Sequence, residues 1–107
     1  MSTSLRVRYT AKAFRDLEEI NAYIALDNPG AAGKLLGAIE HGVGLLTLFP
    51  NKARRSSKNG VRALVLSRYP YIIFYRVVGR ELVVTRVLHG ARRHLGFREE
   101  AAVFASL

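Results

Sequence analysis

The sequence predicts a two-layer α+β fold, a helical hairpin laid on a mainly antiparallel sheet. Two observations carry this. Residues 61–93, VRALVLSRYPYIIFYRVVGRELVVTRVLHGARR, are crowded with β-branched and aromatic side chains and punctuated by Pro70 and Gly79. Residues 10–49 instead space their apolar side chains at intervals of three and four, the period of two amphipathic helices. Such helices must bury their stripes, and a sheet face is the surface at hand. At 107 residues the chain, 1–107, is expected to be one domain with a single modest core.

Taken in order, Leu5 to Tyr9 alternates apolar and basic residues. That predicts a short N-terminal strand with Leu5, Val7 and Tyr9 inward. Thr10 is placed to cap the first helix, whose stripe is Phe14, Leu17, Ile20 and Ile24. Asp27-Asn28-Pro29 stops it. Asn28 can cap the second helix, and Pro29 fits that helix's first position. The second stripe is Ala32, Leu35, Leu36, Ile39, Val43 and Leu46, and Pro50 ends the helix after Phe49. So short a connection makes the pair antiparallel. Gly33, Gly37, Gly42 and Gly44 lie in the second helix. Each costs ~1 kcal/mol relative to Ala. Either they admit a close neighbour, or they are weak positions that packing tolerates.

Residues 51–60, NKARRSSKNG, read as a polar loop in which Lys52, Arg54, Arg55 and Lys58 cluster. Three strands follow, at 62–67, 71–78 and 81–89. The turn at Pro70 separates the first two. Gly79-Arg80 forms a two-residue loop suited to a type II′ hairpin. The order is β-α-α-β-β-β, and residues 97–107 have the pattern for a short C-terminal helix.

A Gly79-Arg80 loop sets a register, with Val78 opposite Glu81, Arg76 opposite Val83 and Phe74 opposite Thr85. Tyr71, Ile73, Tyr75, Val77, Leu82, Val84, Arg86 and Leu88 then face the core. Ile72, Phe74, Arg76, Val78, Glu81, Val83, Thr85, Val87 and His89 form a mixed face, as an open or partner-covered face would be. Arg86 on the core side calls for a carboxylate partner, with Asp16, Glu19 and Glu40 as candidates.

There is no cysteine, which excludes disulfides and cysteine metal sites and is compatible with a reducing cytoplasm. No apolar run is long enough to cross a bilayer, so no membrane partner is expected. The formal net charge of +9 favours acidic partners: nucleic acid, an acidic protein or an anionic surface. A helix-turn-helix and an exposed aromatic platform are both missing, which argues against a plain nucleic-acid-binding module. Of His41, His89 and His94, no pair has a third ligand at metal-binding spacing, and no cofactor is expected. The basic residues have more substance. Arg76 and His89 share the open face in this register, Arg92 and Arg93 follow the strand end, and Lys52, Arg54 and Arg55 could approach from the loop. Such a set could hold a phosphate backbone, and a histidine among arginines could move a proton in RNA cleavage.

Together the helix text AFRDLEEINAYIALDNPGAA, the LFP that ends the second helix, and YPYIIFYRV followed by ELVVTRVLHGARR resemble the RelE/ParE toxin superfamily. The resemblance covers residues 7–93 and is closest to the ParE branch. It implies the toxin of a bacterial type II toxin–antitoxin system, acting in the cytoplasm and held as a hetero-oligomer by a cognate acidic antitoxin, ParD-like or related. ParE-type toxins poison DNA gyrase, whereas RelE-type toxins cleave mRNA on the ribosome. The ribonucleases usually use a terminal Tyr or a Glu-Arg-His set. This chain has no Tyr after Tyr75 and lacks the Glu, which favours the gyrase-directed, non-catalytic reading. The ribonuclease alternative would use His89, Arg76, Lys52, Arg54 and Arg55. The antitoxin is expected on Tyr23, Leu26, Phe74, Arg76, Val83, Arg92 and Arg93, and the target on His89, Arg92 and Arg93.

Overall fold

A computed structural model describes residues 4–56 and 59–90. Its elements are β1 (Arg6–Tyr9), α1 (Ala11–Asp27), α2 (Pro29–Leu48), β2 (Arg54–Arg55), β3 (Arg62–Val65), β4 (Tyr71–Val78) and β5 (Glu81–His89). They form a sheet of order β1-β5-β4-β3-β2. β1 runs parallel to β5, and the other neighbours are antiparallel. The expected terminal helix and residues Lys58, Arg92, Arg93 and His94 lie outside the described residues.

The caps act as the sequence suggests. The Thr10 hydroxyl accepts the Ala13 N–H at 3.1 Å and donates to the Thr85 carbonyl at 2.9 Å, tying α1 to the sheet. Asn28 closes one helix and opens the next. Its N–H donates to the Ile24 carbonyl, and its side chain accepts from the Ala31 N–H at 3.0 Å. Pro29 needs no N–H at this position.

The buried stripe of α1 is Ala13, Leu17, Ile20 and Ile24. Phe14, expected in that stripe, is exposed. In α2, Leu35, Ile39, Val43 and Leu46 meet Tyr71, Ile73 and Tyr75 of β4 and Leu82, Val84 and Val87 of β5. Each such fully buried large side chain contributes roughly 1.5–3 kcal/mol over leaving it in water. Gly42 is the glycine that needs to be small. A Cβ there would lie 3.2 Å from a Leu64 methyl, whereas one at Gly33, Gly37 or Gly44 would meet nothing.

Three further sequence expectations change. Residues 54–55 form an edge strand paired with Arg62 and Ala63, not a loop. Val7, expected inward, is exposed on β1. The third concerns the register. It holds from Val78↔Glu81 to Tyr75↔Val84 and then breaks, so that Phe74 pairs with Arg86 and not Thr85. Thr85 is the extra residue of a β-bulge, which exchanges the two faces beyond it. Val87 therefore joins the main core, and Leu88 joins a second cluster with Val61, Ala63, Ile72 and Phe74. That second face is not open as expected, since Phe74 is 2% and Val83 4% exposed.

Candidate functional site

The bulge decides which basic residues can act together. His89 pairs with Tyr71, a residue of the main core, so His89 lies on the helix-bearing side. Its ring stands edge-on to Tyr71 with centroids 5.1 Å apart. Arg76 alternates with Phe74 and Ile72 and lies on the opposite side. The two residues read as sharing a face are thus on different faces. They are also far apart along the strands: Arg76 is five residues along β4 from Tyr71, the partner of His89, or ~17 Å at strand rise.

Arg54 and Arg55 are exposed on β2, three strands from β5. That separation is ~14 Å between strand axes. Lys52 precedes them on the same side of the molecule. The five residues of the ribonuclease reading are therefore distributed over both faces and over β5, β4 and the β2 edge. Among the described residues no group of three metal-ligating side chains comes together.

The arginine nearest α1 has a structural task. Arg86 donates from Nε to Asp16 Oδ2 at 2.8 Å and from its terminal nitrogen to Oδ1 at 2.9 Å, a two-pronged ion pair. Asp16 Oδ2 also accepts the Val87 N–H at 2.9 Å. The hydrogen bond to Asp16, more than burial opposes it, raises the Arg86 pKa above its usual value. Of the three carboxylates considered, Asp16 is the partner. On the other side, Arg62 donates to the Ala53 carbonyl at 2.8 Å, and the Tyr75 hydroxyl donates to the Pro50 carbonyl at 2.6 Å. These bonds fix the chain where it leaves α2. Burial pushes the Tyr75 hydroxyl pKa up, opposed by the Arg62 charge.

Charge is strongly segregated. The hairpin of α1 and α2 carries Asp16, Glu18, Glu19, Asp27 and Glu40 against Lys12, Arg15 and Lys34. The strands and their connections carry Arg6, Arg8, Lys52, Arg54, Arg55, Arg62, Arg68, Arg76, Arg80 and Arg86, against Glu81 alone among the described residues. Tyr23 and Leu26 are exposed as expected, at 76% and 84%, but on the acidic hairpin. Arg76 is half-buried. Sequence reasoning missed Leu48 and Phe49, which are exposed at 56% and 58%. Their signal was present: Leu48 falls outside the second stripe, and Phe49 sits beside a helix-ending proline.

Comparison with known proteins agrees with this architecture. Residues 7–94 match the family described as the ParE toxin of the type II toxin–antitoxin system, parDE. A curated Sinorhizobium fredii protein, "Putative toxin Y4kP", is 39% identical over 84 residues, covering 78% of this chain and 86% of that protein. Among solved structures, one of the chromosomal ParDE system from P. aeruginosa is 33% identical with a TM-score of 0.70, covering 82% of this chain and 98% of that one. Another, of the RelBE2 toxin–antitoxin complex from Mycobacterium tuberculosis, is 26% identical with a TM-score of 0.54, covering 80% of this chain and 98% of that one. The family match spans most of the chain and ends just past β5: this protein belongs to the ParE toxins of type II toxin–antitoxin systems, within the RelE/ParE superfamily.

Proposed function

We propose that this toxin acts in the cytoplasm by binding DNA gyrase and stalling it, with no catalytic residues of its own. A cognate acidic antitoxin encoded beside it, ParD-like or related, silences it in a hetero-oligomer. The observation that carries the non-catalytic reading is the separation of His89 from Arg76 and from the Lys52–Arg55 segment. General acid–base cleavage needs the proton-transfer group and the charge-stabilising group within hydrogen-bond reach of one phosphate. Here they sit on different faces and strands of the sheet. The match to ParE toxins supports gyrase as the target, and the solved toxin–antitoxin relatives support the antitoxin.

The direct test adds the purified toxin to gyrase, ATP and relaxed plasmid, and in parallel to ribosomes carrying mRNA. Loss of supercoiling with intact mRNA is the expected outcome. Cut mRNA with unaffected supercoiling would replace this reading with the ribonuclease one.

A further inference from the structure

We infer that the acidic partner anchors on an apolar patch at the hairpin end of the sheet, made by Leu48, Phe49 and Val77 and rimmed by Lys52 and Arg80. This rests on the antitoxin reading above and gives the antitoxin a place on the toxin.

Hydrogen bonds bring the patch together. The Leu5 N–H donates to the Thr47 carbonyl at 3.1 Å, and the Tyr75 hydroxyl holds the Pro50 carbonyl. The chain leaving α2 thus lies between the start of β1 and β4. Val77 is two residues beyond Tyr75 on the same face, opposite buried Leu82 and just before the Gly79-Arg80 turn. The Arg6 N–H donates to the Arg80 carbonyl at 2.9 Å, which holds the Gly79-Arg80 turn at this end, while the Arg6 side chain, level with Glu81, belongs to the opposite face. Leu48, Phe49 and Val77 are 56%, 58% and 43% exposed. Residues 48–52 line an open cleft of about 580 Å³. Large apolar side chains gathered beside a concave surface and rimmed by charge mark an interaction site.

Charge selects this patch over its rival. Tyr23 and Leu26 on α1 are more exposed. One turn before Tyr23 stands Glu19, however, and one turn after it stands Asp27. An acidic segment would be repelled there and attracted to the rim of Lys52 and Arg80. The partner is therefore a peptide segment with an apolar anchor flanked by Asp or Glu. The anchor supplies most of the affinity, and the rim speeds encounter.

The test titrates the full-length toxin with the product of the adjoining antitoxin gene. Phe49→Asp should weaken binding by about 100-fold, and Leu26→Asp should leave it within about threefold. Arg80→Glu, on an exposed turn, should slow association by about tenfold at low salt and less at high salt. It serves as the second reading should Phe49→Asp disturb the fold. If the parent binds tightly and Leu26→Asp is the damaging change, or if neither Phe49→Asp nor Arg80→Glu alters binding, the patch is wrong while the antitoxin reading stands. If the parent binds nothing, the antitoxin reading fails and this inference falls with it.

Discussion

Asp16 supplies at the sheet edge what a longer β1 would have supplied. β1 stops at Tyr9, opposite Val84, while β5 continues to His89. The next inward-facing backbone donor, the Val87 N–H, is met by the Asp16 carboxylate, which also holds Arg86. Removing it strands a partly buried guanidinium and a backbone donor together. The two side chains are only 17% and 11% exposed, so solvent screens the pair weakly. Asp16→Ala should therefore lower unfolding free energy by about 3 kcal/mol, read from urea denaturation. The exposed Arg8–Glu81 pair, 53% and 41% exposed, should by contrast matter little when either partner is replaced. The tyrosines add a pH dependence. Burial raises the Tyr9 and Tyr75 pKa values, and Glu40 adds to the shift at Tyr9. A raised folded-state value means that the folded chain favours the neutral phenol. That stability is fully present below the unfolded value of about 10 and is lost as pH rises through the folded value. Two tyrosines should accordingly titrate late by absorbance, and stability should fall above about pH 10.

At the scale of elements, the caps, the two helices, β4, β5 and the turn between them were legible. Each is set by local chemistry: Thr10 and Asn28 as acceptors, Pro29 at a helix start, and Gly79 at φ +59° with no positive φ at Arg80, as a type II′ turn requires. The bulge was not legible. Thr85 carries no glycine or proline to mark it. What holds it is tertiary: its hydroxyl donates to the Phe74 carbonyl at 3.2 Å, and its carbonyl accepts from Thr10. One unread residue therefore misplaced Val87, Leu88 and His89, while the expected helix carboxylate for Arg86 was found in Asp16. The strand at Arg54 was missed for a similar reason, since two arginines have no strand signature and pair only because β3 offers an edge. The glycines of α2 separate into two kinds. Gly33→Ala, Gly37→Ala and Gly44→Ala should each stabilise by about 1 kcal/mol, because a methyl there meets no neighbour. Gly42→Ala should gain little or lose, because its methyl must displace Leu64. Thermal melts of the four single variants would test the division.

For the whole molecule, the net charge was legible but its distribution was not. A value of +9 says acidic partner; only the fold shows that a slightly acidic helical hairpin covers one side of a basic sheet. The candidate site changed accordingly. Tyr23 and Leu26 proved exposed, Phe74 and Val83 proved buried, and the exposed pair Leu48 and Phe49 emerged at the end of α2. A sequence pattern can show that a side chain is off a stripe, but not what surrounds it. The central claim is that this toxin inhibits by binding and that His89, packed edge-on against Tyr71 and far from Arg76, moves no proton. The most direct measurement is growth arrest on induction of His89→Ala at expression matched to the parent. Arrest should persist at close to the parent level. Complete loss of arrest by a variant with an unchanged melting temperature would contradict it.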